Sequence, residues 1–202
     1  MKLNKKLITV AIDSPGAAGA GTQAKLIAKE YNLFYLDTGK IYRYIGLLKL
    51  NYPKKFNYKF IRNKIKKLKM SELSKKNLLS EKVAISASII AKDKKIRKIV
   101  QTFQRKCAYF PPKKYLGSVL DGRDIITEQV KDAMFKFFIT ANLNVRAKRR
   151  FREYKLLNKK ITFKEVIKNL RNRDKSDKKR KHSPLKKTKD SILINTTKLS
   201  KK

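Results

Sequence analysis

The stretch "LITVAIDSPGAAGAGTQAKL", residues 7–26, limits the fold more than any other part of the chain. Its apolar, β-branched run Leu7–Ile12 predicts a buried strand. The run stops at Asp13-Ser14-Pro15 and gives way to glycines and alanines, and from Thr22 to Glu30 the apolar spacing turns helical, with Leu26, Ile27 and Tyr31 as expected core contacts. A strand that ends in a glycine-rich turn and feeds a helix is suited to holding anions. Small residues let backbone amides converge, and the helix N-terminus adds its positive end. Gly16, Gly19 and Gly21 supply the turn, and the Thr22 hydroxyl stands where a magnesium ion could take it. The strict pattern G-x-x-x-x-G-K-[ST] is not met, because Ala20 occupies the lysine position. On its own the stretch reads equally well as a plain strand-to-helix turn of small residues.

The alternation continues along the chain. "LFYLDTG" (Leu33–Gly39) predicts a second strand and turn, followed by a helix from about Ile41 to Leu50. Strand, loop, helix and strand in about thirty residues form a βαβ unit, which is normally right-handed and parallel. Residues 51–79 are lysine-rich and less regular, with amphipathic patches such as "FIRNKIKKL". Helices are expected over Ser80–Ala91, Lys94–Ala108, Val145–Leu157 and Phe163–Arg173, and strands within Gly117–Asp124, Phe135–Thr140 and Ser191–Thr197. Five strands alternating with helices predict an α/β fold with a parallel sheet. Ligands in such folds bind beyond the carboxyl ends of the strands.

Composition narrows the chemistry. Cys107 is the sole cysteine and His182 the sole histidine, which excludes an intramolecular disulfide and any Cys/His zinc cluster. A metal would be held by oxygen, which suits magnesium. The net charge of +39 would draw nucleic acid, an anionic membrane or phosphorylated small molecules. Yet the lysines are spread along the chain and accompany many Ile and Asn, as an AT-rich coding sequence would give. The N-terminal apolar run is too short for a signal-peptide core, and no segment approaches the roughly 20 apolar residues that span a bilayer. A soluble, cytoplasmic protein is expected.

Behind the loop, "LDTGKIYR", "LDGRD", "AKRRF" and "RNRDKSDKKR…SPLKKTKDSILINTT" follow in that order. The arrangement, from about Leu7 to Leu199, resembles the bacterial cytidylate kinases among the nucleoside-monophosphate kinases. The resemblance implies a P-loop kinase fold, with a five-stranded parallel sheet flanked by helices. It also implies a single kinase domain over 1–202, with a core of 1–50, 109–145 and 185–202, a reduced monophosphate-binding region at 51–108 and a helical lid at 146–184. The activity implied is transfer of the terminal phosphoryl of ATP, with Mg2+, to CMP or dCMP. The expected protein is a monomer without a specific nucleic-acid or membrane partner.

Carried over residue by residue, Ser14, Pro15, Gly16, Ala17, Ala18, Gly19, Ala20, Gly21 and Thr22 would hold the donor phosphates, and Arg149 would contact ATP. Arg43, Arg123 and Arg180 would grip the acceptor phosphate, for which the planar guanidinium fork is suited. Thr38, Arg173 and Asp177 would meet the sugar, and Ser88, Arg97 and Asp124 the cytosine. Arg123, Arg149 and Arg180 would carry the catalytic charge, and Thr22 with Asp121 would hold or orient magnesium. Arg173, Asp177 and Arg180 at i, i+4 and i+7 read otherwise as ion pairs along one helix face. Arg146, Arg149 and Arg150 also share a face.

Departures from the family pattern are Ser14 for glycine, Thr38 for serine, Ile126 for glycine, a short Arg43–Ser88 segment and, above all, Ala20 for lysine. Either activity is low or another cation reaches in. Lys25 lies about 140° round the helix from Ala20, so the lid arginines are better placed. Two other readings stand beside the kinase: a catalytically weak nucleotide-binding protein of this fold, and a basic nucleic-acid-binding protein using "RAKRRFREYK". The last accounts for the charge but not for "LDTGKIYR" or "LDGRD".

Overall fold

Five short strands, all parallel, carry the molecule. The computed structural model describes residues 7–157 and 160–199. Strands β1 (Ile8–Asp13), β2 (Phe34–Asp37), β3 (Gly117–Gly122), β4 (Phe135–Thr140) and β5 (Ile192–Asn195) form one sheet in the order β2-β3-β1-β4-β5. The central strand β1 reaches one residue beyond its expected end, to include Asp13, while β5 is shorter than Ser191–Thr197. Register places Asp37 opposite Asp121, and Asp13 opposite Gly122. Three acidic side chains therefore gather at the carboxyl edges of adjacent strands.

Strand alternation divides the core between the two faces of the sheet. Ala11, Leu36 and Leu120 join the larger cluster, while Val10, Ile12, Val119 and Ile139 join the smaller one. Helix α1 (Ala20–Glu30) packs on the second face through buried Ala20 and Ala24, with Ile27 and Ala28 half-buried against it. Two expected core contacts are not core: Leu26 is 50% and Tyr31 59% exposed. The alanines let the helix axis approach the strands, and its rotation follows the preceding loop rather than the largest apolar side chains. The helix also starts at Ala20, two residues before Thr22.

The larger cluster is filled by α2 (Thr38–Asn51), α3 (Tyr58–Lys66), α4 (Glu81–Ile90) and α5 (Lys94–Tyr109), which contribute Ile41, Ile45, Ile61, Ala87 and Val100 among others. Helix α2 begins at Thr38, not at Ile41, because the Asp37 carboxylate caps it by accepting from the Lys40 amide at 3.3 Å. Within the stretch read as irregular, Asn57 caps α3, and Ile61 and Ile65 are buried. Ser80 and Asp93 cap α4 and α5. Beyond β4, α6 (Leu143–Leu156) pairs with α7 (Phe163–Lys179) across a small seam of Ala147, Val166 and Leu170. Helix α7 starts with a Thr162–Glu165 capping box and runs six residues past Arg173, which brings Asp177 onto it. Among the described residues no helix is long and apolar enough to cross a membrane.

Candidate active site

The carboxyl ends of β1, β2 and β3 open onto a cleft of about 350 Å³. On one side it is lined by Ser14, Pro15, Ala17, Gly19, Ala20, Gly21 and Thr22. Two carbonyls of this loop are tied away from the cleft. Gly16 O accepts from Arg146 Nη1 at 3.1 Å, and Ala18 O accepts from Thr196 Oγ1 at 2.7 Å and Arg149 Nη1 at 3.4 Å. Because a trans peptide is planar, pinning these oxygens outward turns the Ala17 and Gly19 amides inward. The Gly19, Ala20 and Gly21 amides find no backbone acceptor among the described residues, as befits the first turn of a helix. Gly19 takes φ 97° and Ala17 φ 60°, a left-handed backbone that costs a residue with a side chain about 1–2 kcal/mol. Gly16 and Ala18 lie outside the cleft lining and anchor the loop from behind.

The three arginines that share a face of α6 diverge. Arg146 is buried and binds Asp174 at 2.6 Å as well as Ala141 O and Gly16 O. Arg149, expected to reach ATP, donates to Thr196 Oγ1 at 2.9 Å, to Thr196 O at 2.7 Å and to Ala18 O, and does not line the cleft. These acceptors hold it against the back of the loop. Arg150, the next residue, does line the cleft.

Across from the loop, Thr38, Arg43, Ser88, Arg97, Arg123, Asp124, Arg173, Asp177 and Arg180 line the same cleft. Asp177 is surrounded by guanidiniums: Arg123 Nε at 3.1 Å, Arg180 Nη1 at 3.7 Å and Arg173 Nε at 3.8 Å. Helix α7 ends before Arg180, which folds back so that its Nε donates to Ser183 O at 2.5 Å. The helix-face ion pairs are thus real but belong to a wider cluster. Loss of solvent, then Arg123, lowers the Arg173 pKa to about 10, with Arg43 and Arg150 adding to the repulsion and Asp177 opposing it. Arg43, whose Nη1 donates to Leu78 O at 2.8 Å, is likewise lowered by burial and then by Arg150. Like charges crowded this way favour an anion among them.

Deeper in, Asp124 pairs with Arg97, and its Oδ2 also accepts from Gln129 Nε2 at 2.7 Å. Arg97 is further held by Ala91 O at 3.0 Å and lies over the Tyr42 ring, 5.6 Å from its centroid. Two buried donors facing this cleft, Tyr42 Oη and Arg180 Nη2, have no hydrogen-bond partner among the described residues. Thr38 gives its hydroxyl proton to Asp121 O at 2.7 Å, which leaves only its lone pairs for a ligand. Ser88 stands exposed at the rim.

Two carboxyl groups are held against their usual ionisation. Asp13 is fully buried and accepts from the Ile125 and Ile126 amides at 2.8 and 3.0 Å. Burial, then the nearby Asp124, raises its pKa to about 7. Burial, then Asp37, raises Asp121 to about 7 as well, although Tyr35 Oη donates to its Oδ1 at 3.1 Å. The Asp121 Oδ2 lies 3.3 Å from where a Cβ on Gly21 would stand, so this glycine leaves room for the carboxylate. Thr22 is exposed in the cleft beside it. Magnesium keeps most of its waters and takes one or two protein oxygens along with phosphates, and the Thr22–Asp121 pair fits that habit.

The raised values set the pH dependence of the free protein. Both carboxyls hold protons in the folded state that the unfolded chain releases near pH 4, so the stability that these two groups contribute is fully present below that value. It declines as pH rises towards about 7 and is level beyond. Asp121→Asn is expected to flatten part of this decline and to raise unfolding free energy at pH 8 by about 1–2 kcal/mol. Urea titrations at pH 5 and pH 8 check it, and an equal loss of stability at both would contradict it.

An amide cradle on one wall and a guanidinium cluster on the other suit two phosphate-bearing molecules brought face to face. Together with the strand order and the loop-to-helix connection, they define a P-loop kinase. Comparison with known proteins narrows the class: the sequence model of the cytidylate kinase family matches residues 10–202. Curated cytidylate kinases align along nearly the whole chain. That of Bartonella tribocorum is 39% identical over 96% of this chain and 89% of its own. That of Clostridium tetani is 38% identical over 94% and 87%, and that of Clostridium botulinum 36% identical over 94% and 90%. The chain belongs to the cytidylate kinase family.

Several cleft residues were not among those expected from sequence. Asp37 and Tyr42 lie inside "LDTGKIYR", where motif membership was the available signal, and Arg150 adjoins the arginine that was chosen. Asp13, which does not line the cleft, read only as the first residue of the turn after a strand. Its partners are more than a hundred positions away, and nothing local marks them.

Proposed function

We propose that this protein transfers the terminal phosphoryl group of Mg·ATP to CMP or dCMP. The observation that carries this reading is the single cleft in which the amide cradle faces the Arg43–Arg123–Arg150–Arg173 cluster, with the Arg97-braced Asp124 beyond. The inward amides of Ala17, Gly19 and Gly21 bind the donor phosphates, and Arg43, Arg123 and Arg180 grip the acceptor phosphate. Phosphoryl transfer needs little covalent help from protein, so position and charge supply the rate. Arg97 and Gln129 hold the Asp124 Oδ2, while Oδ1, 3.8 Å from Arg180 Nη2 and without a hydrogen bond, would accept from the exocyclic amine of cytosine. Uracil would present a carbonyl to that carboxylate and lose the bond. Tyr42 Oη, and Arg180 Nη2 at 3.8 Å from Asp124 Oδ1, are donors without a hydrogen bond that a bound nucleotide would satisfy. Thr22 and Asp121 would hold magnesium and its waters, whose charge offsets that of the phosphates when bound. The acceptor region would comprise residues 51–108, and α6 with α7 the lid that excludes water.

A coupled assay of ADP formation with CMP, dCMP, UMP and AMP tests the reading. Turnover of CMP or dCMP well above UMP and AMP is expected. Absence of any CMP-dependent ADP would overturn it.

A further inference from the structure

We infer that Lys25 supplies the cation that position 20 lacks, reaching the donor phosphates from the second turn of α1. The inference rests on the kinase reading of the cleft and names a residue that binds the reacting phosphates.

The 140° separation from Ala20 measures the wrong neighbour. Lys25 follows Gly21 by four residues and Thr22 by three, which places it within about 40° and 60° of them on one helix face. A helical side chain leans towards the N-terminus and covers the turn before its own Cα. A lysine here therefore extends down over Gly21 and Thr22, both of which line the cleft. Lys25 lines that cleft together with Gly21, Thr22 and Asp121, and its charge acts on the Asp121 carboxylate. Gly21 has no side chain to block the path, and Lys25 is exposed and so free to move.

Four arginines around the loop already have protein partners, whereas the cleft-lining lysines Lys25, Lys40 and Lys92 make no ion pair among the described residues, and of these only Lys25 stands on the helix that the loop feeds. Arg146 is locked to Asp174 and Gly16 O, and Arg149 to Thr196 and Ala18 O. Arg150 pairs with Glu153 at 3.0 Å, and Arg123 with Asp177 at 3.1 Å. Lys25 makes no ion pair among the described residues. A lysine is a point charge on a flexible stem, which suits a group that must follow the transferring phosphoryl.

Steady-state kinetics with ATP and CMP, and calorimetric titration with inorganic tripolyphosphate, test the inference on Lys25→Ala, Lys25→Ala with Ala20→Lys, and the control Lys29→Ala. Lys25→Ala is expected to lose about 10²–10³ in kcat, to bind tripolyphosphate about tenfold more weakly, and to leave KM for CMP and the melting temperature near those of the parent. Adding Ala20→Lys restores kcat to within about tenfold of the parent, and Lys29→Ala stays within about twofold. If Lys25→Ala keeps the parent's kcat and tripolyphosphate affinity, the inference falls and the kinase reading stands. A double variant no faster than Lys25→Ala also overturns it. If the parent turns over no CMP but Lys25→Ala still weakens tripolyphosphate binding, the kinase reading falls while Lys25 remains a phosphate ligand.

Discussion

Arg123→Ala is expected to lower kcat for CMP phosphorylation by about 10³-fold, at the top of the range expected for a cleft substitution. Arg123 follows β3, is held by two hydrogen bonds and approaches the donor loop with its third nitrogen. Nη1 donates to Gly122 O at 2.9 Å, Nε binds Asp177 at 3.1 Å, and Nη2 lies 3.8 Å from where a Cβ on Gly16 would stand. It thus reaches from the donor loop to the guanidinium cluster, across the space where phosphoryl transfer would occur. Removing one preorganised donor from a transition state costs about 3–4 kcal/mol, and Arg123 supplies charge to both substrates. Arg123→Lys should recover less than a tenth of the loss, because an ammonium cannot keep the Asp177 and Gly122 contacts while facing phosphate. The check is kcat and KM for both nucleotides beside a thermal melt. A folded Arg123→Ala enzyme within about fivefold of the parent would remove Arg123 from the catalytic role.

The second large effect is on stability. Asp13→Ala leaves the Ile125 and Ile126 amides without acceptors inside the protein. Each orphaned buried donor costs about 1–3 kcal/mol, so a loss near 3 kcal/mol is expected, about 10 °C in melting temperature for a chain of this size. Asp13→Asn keeps one acceptor and removes a carboxyl that burial already disfavours in its charged form. It should therefore cost less than half as much, and least at pH 8. Urea titration at pH 6 and pH 8 measures both variants. An Asp13→Ala loss below about 1 kcal/mol would show that the loop finds other acceptors. The loop at stake begins at Asp124 and carries Gln129, so KM for CMP should rise with the instability.

Asp13 also shows where sequence reasoning stops. The strands were legible because apolar β-branched runs ending in polar turns have few other uses, and α4 and α5 lie close to the ranges expected for them. The glycine-rich turn was legible by itself, its phosphate-binding reading came only with the motifs behind it, and those motifs pointed to residues that the structure brings to one cleft. Rotation of α1 was not, since Leu26 and Tyr31 promise more burial than Ala20 and Ala24. Which of Arg146, Arg149 and Arg150 enters the cleft was equally hidden. All three share a helix face, and the choice falls to Thr196, just after β5, and to Asp174 on α7.

What the sequence by itself determined is the alternation of strand and helix, the glycine-rich turn between the first strand and its helix, and the lack of a lysine at position 20. These follow from local periodicity and residue type. Only the tertiary structure decided that Asp13 braces the loop after β3, that Arg149 turns to Thr196, and that Lys25 lines the same cleft as Thr22. Each depends on groups distant in the chain meeting at the carboxyl edge of the sheet, where strand order rather than sequence proximity sets the neighbours.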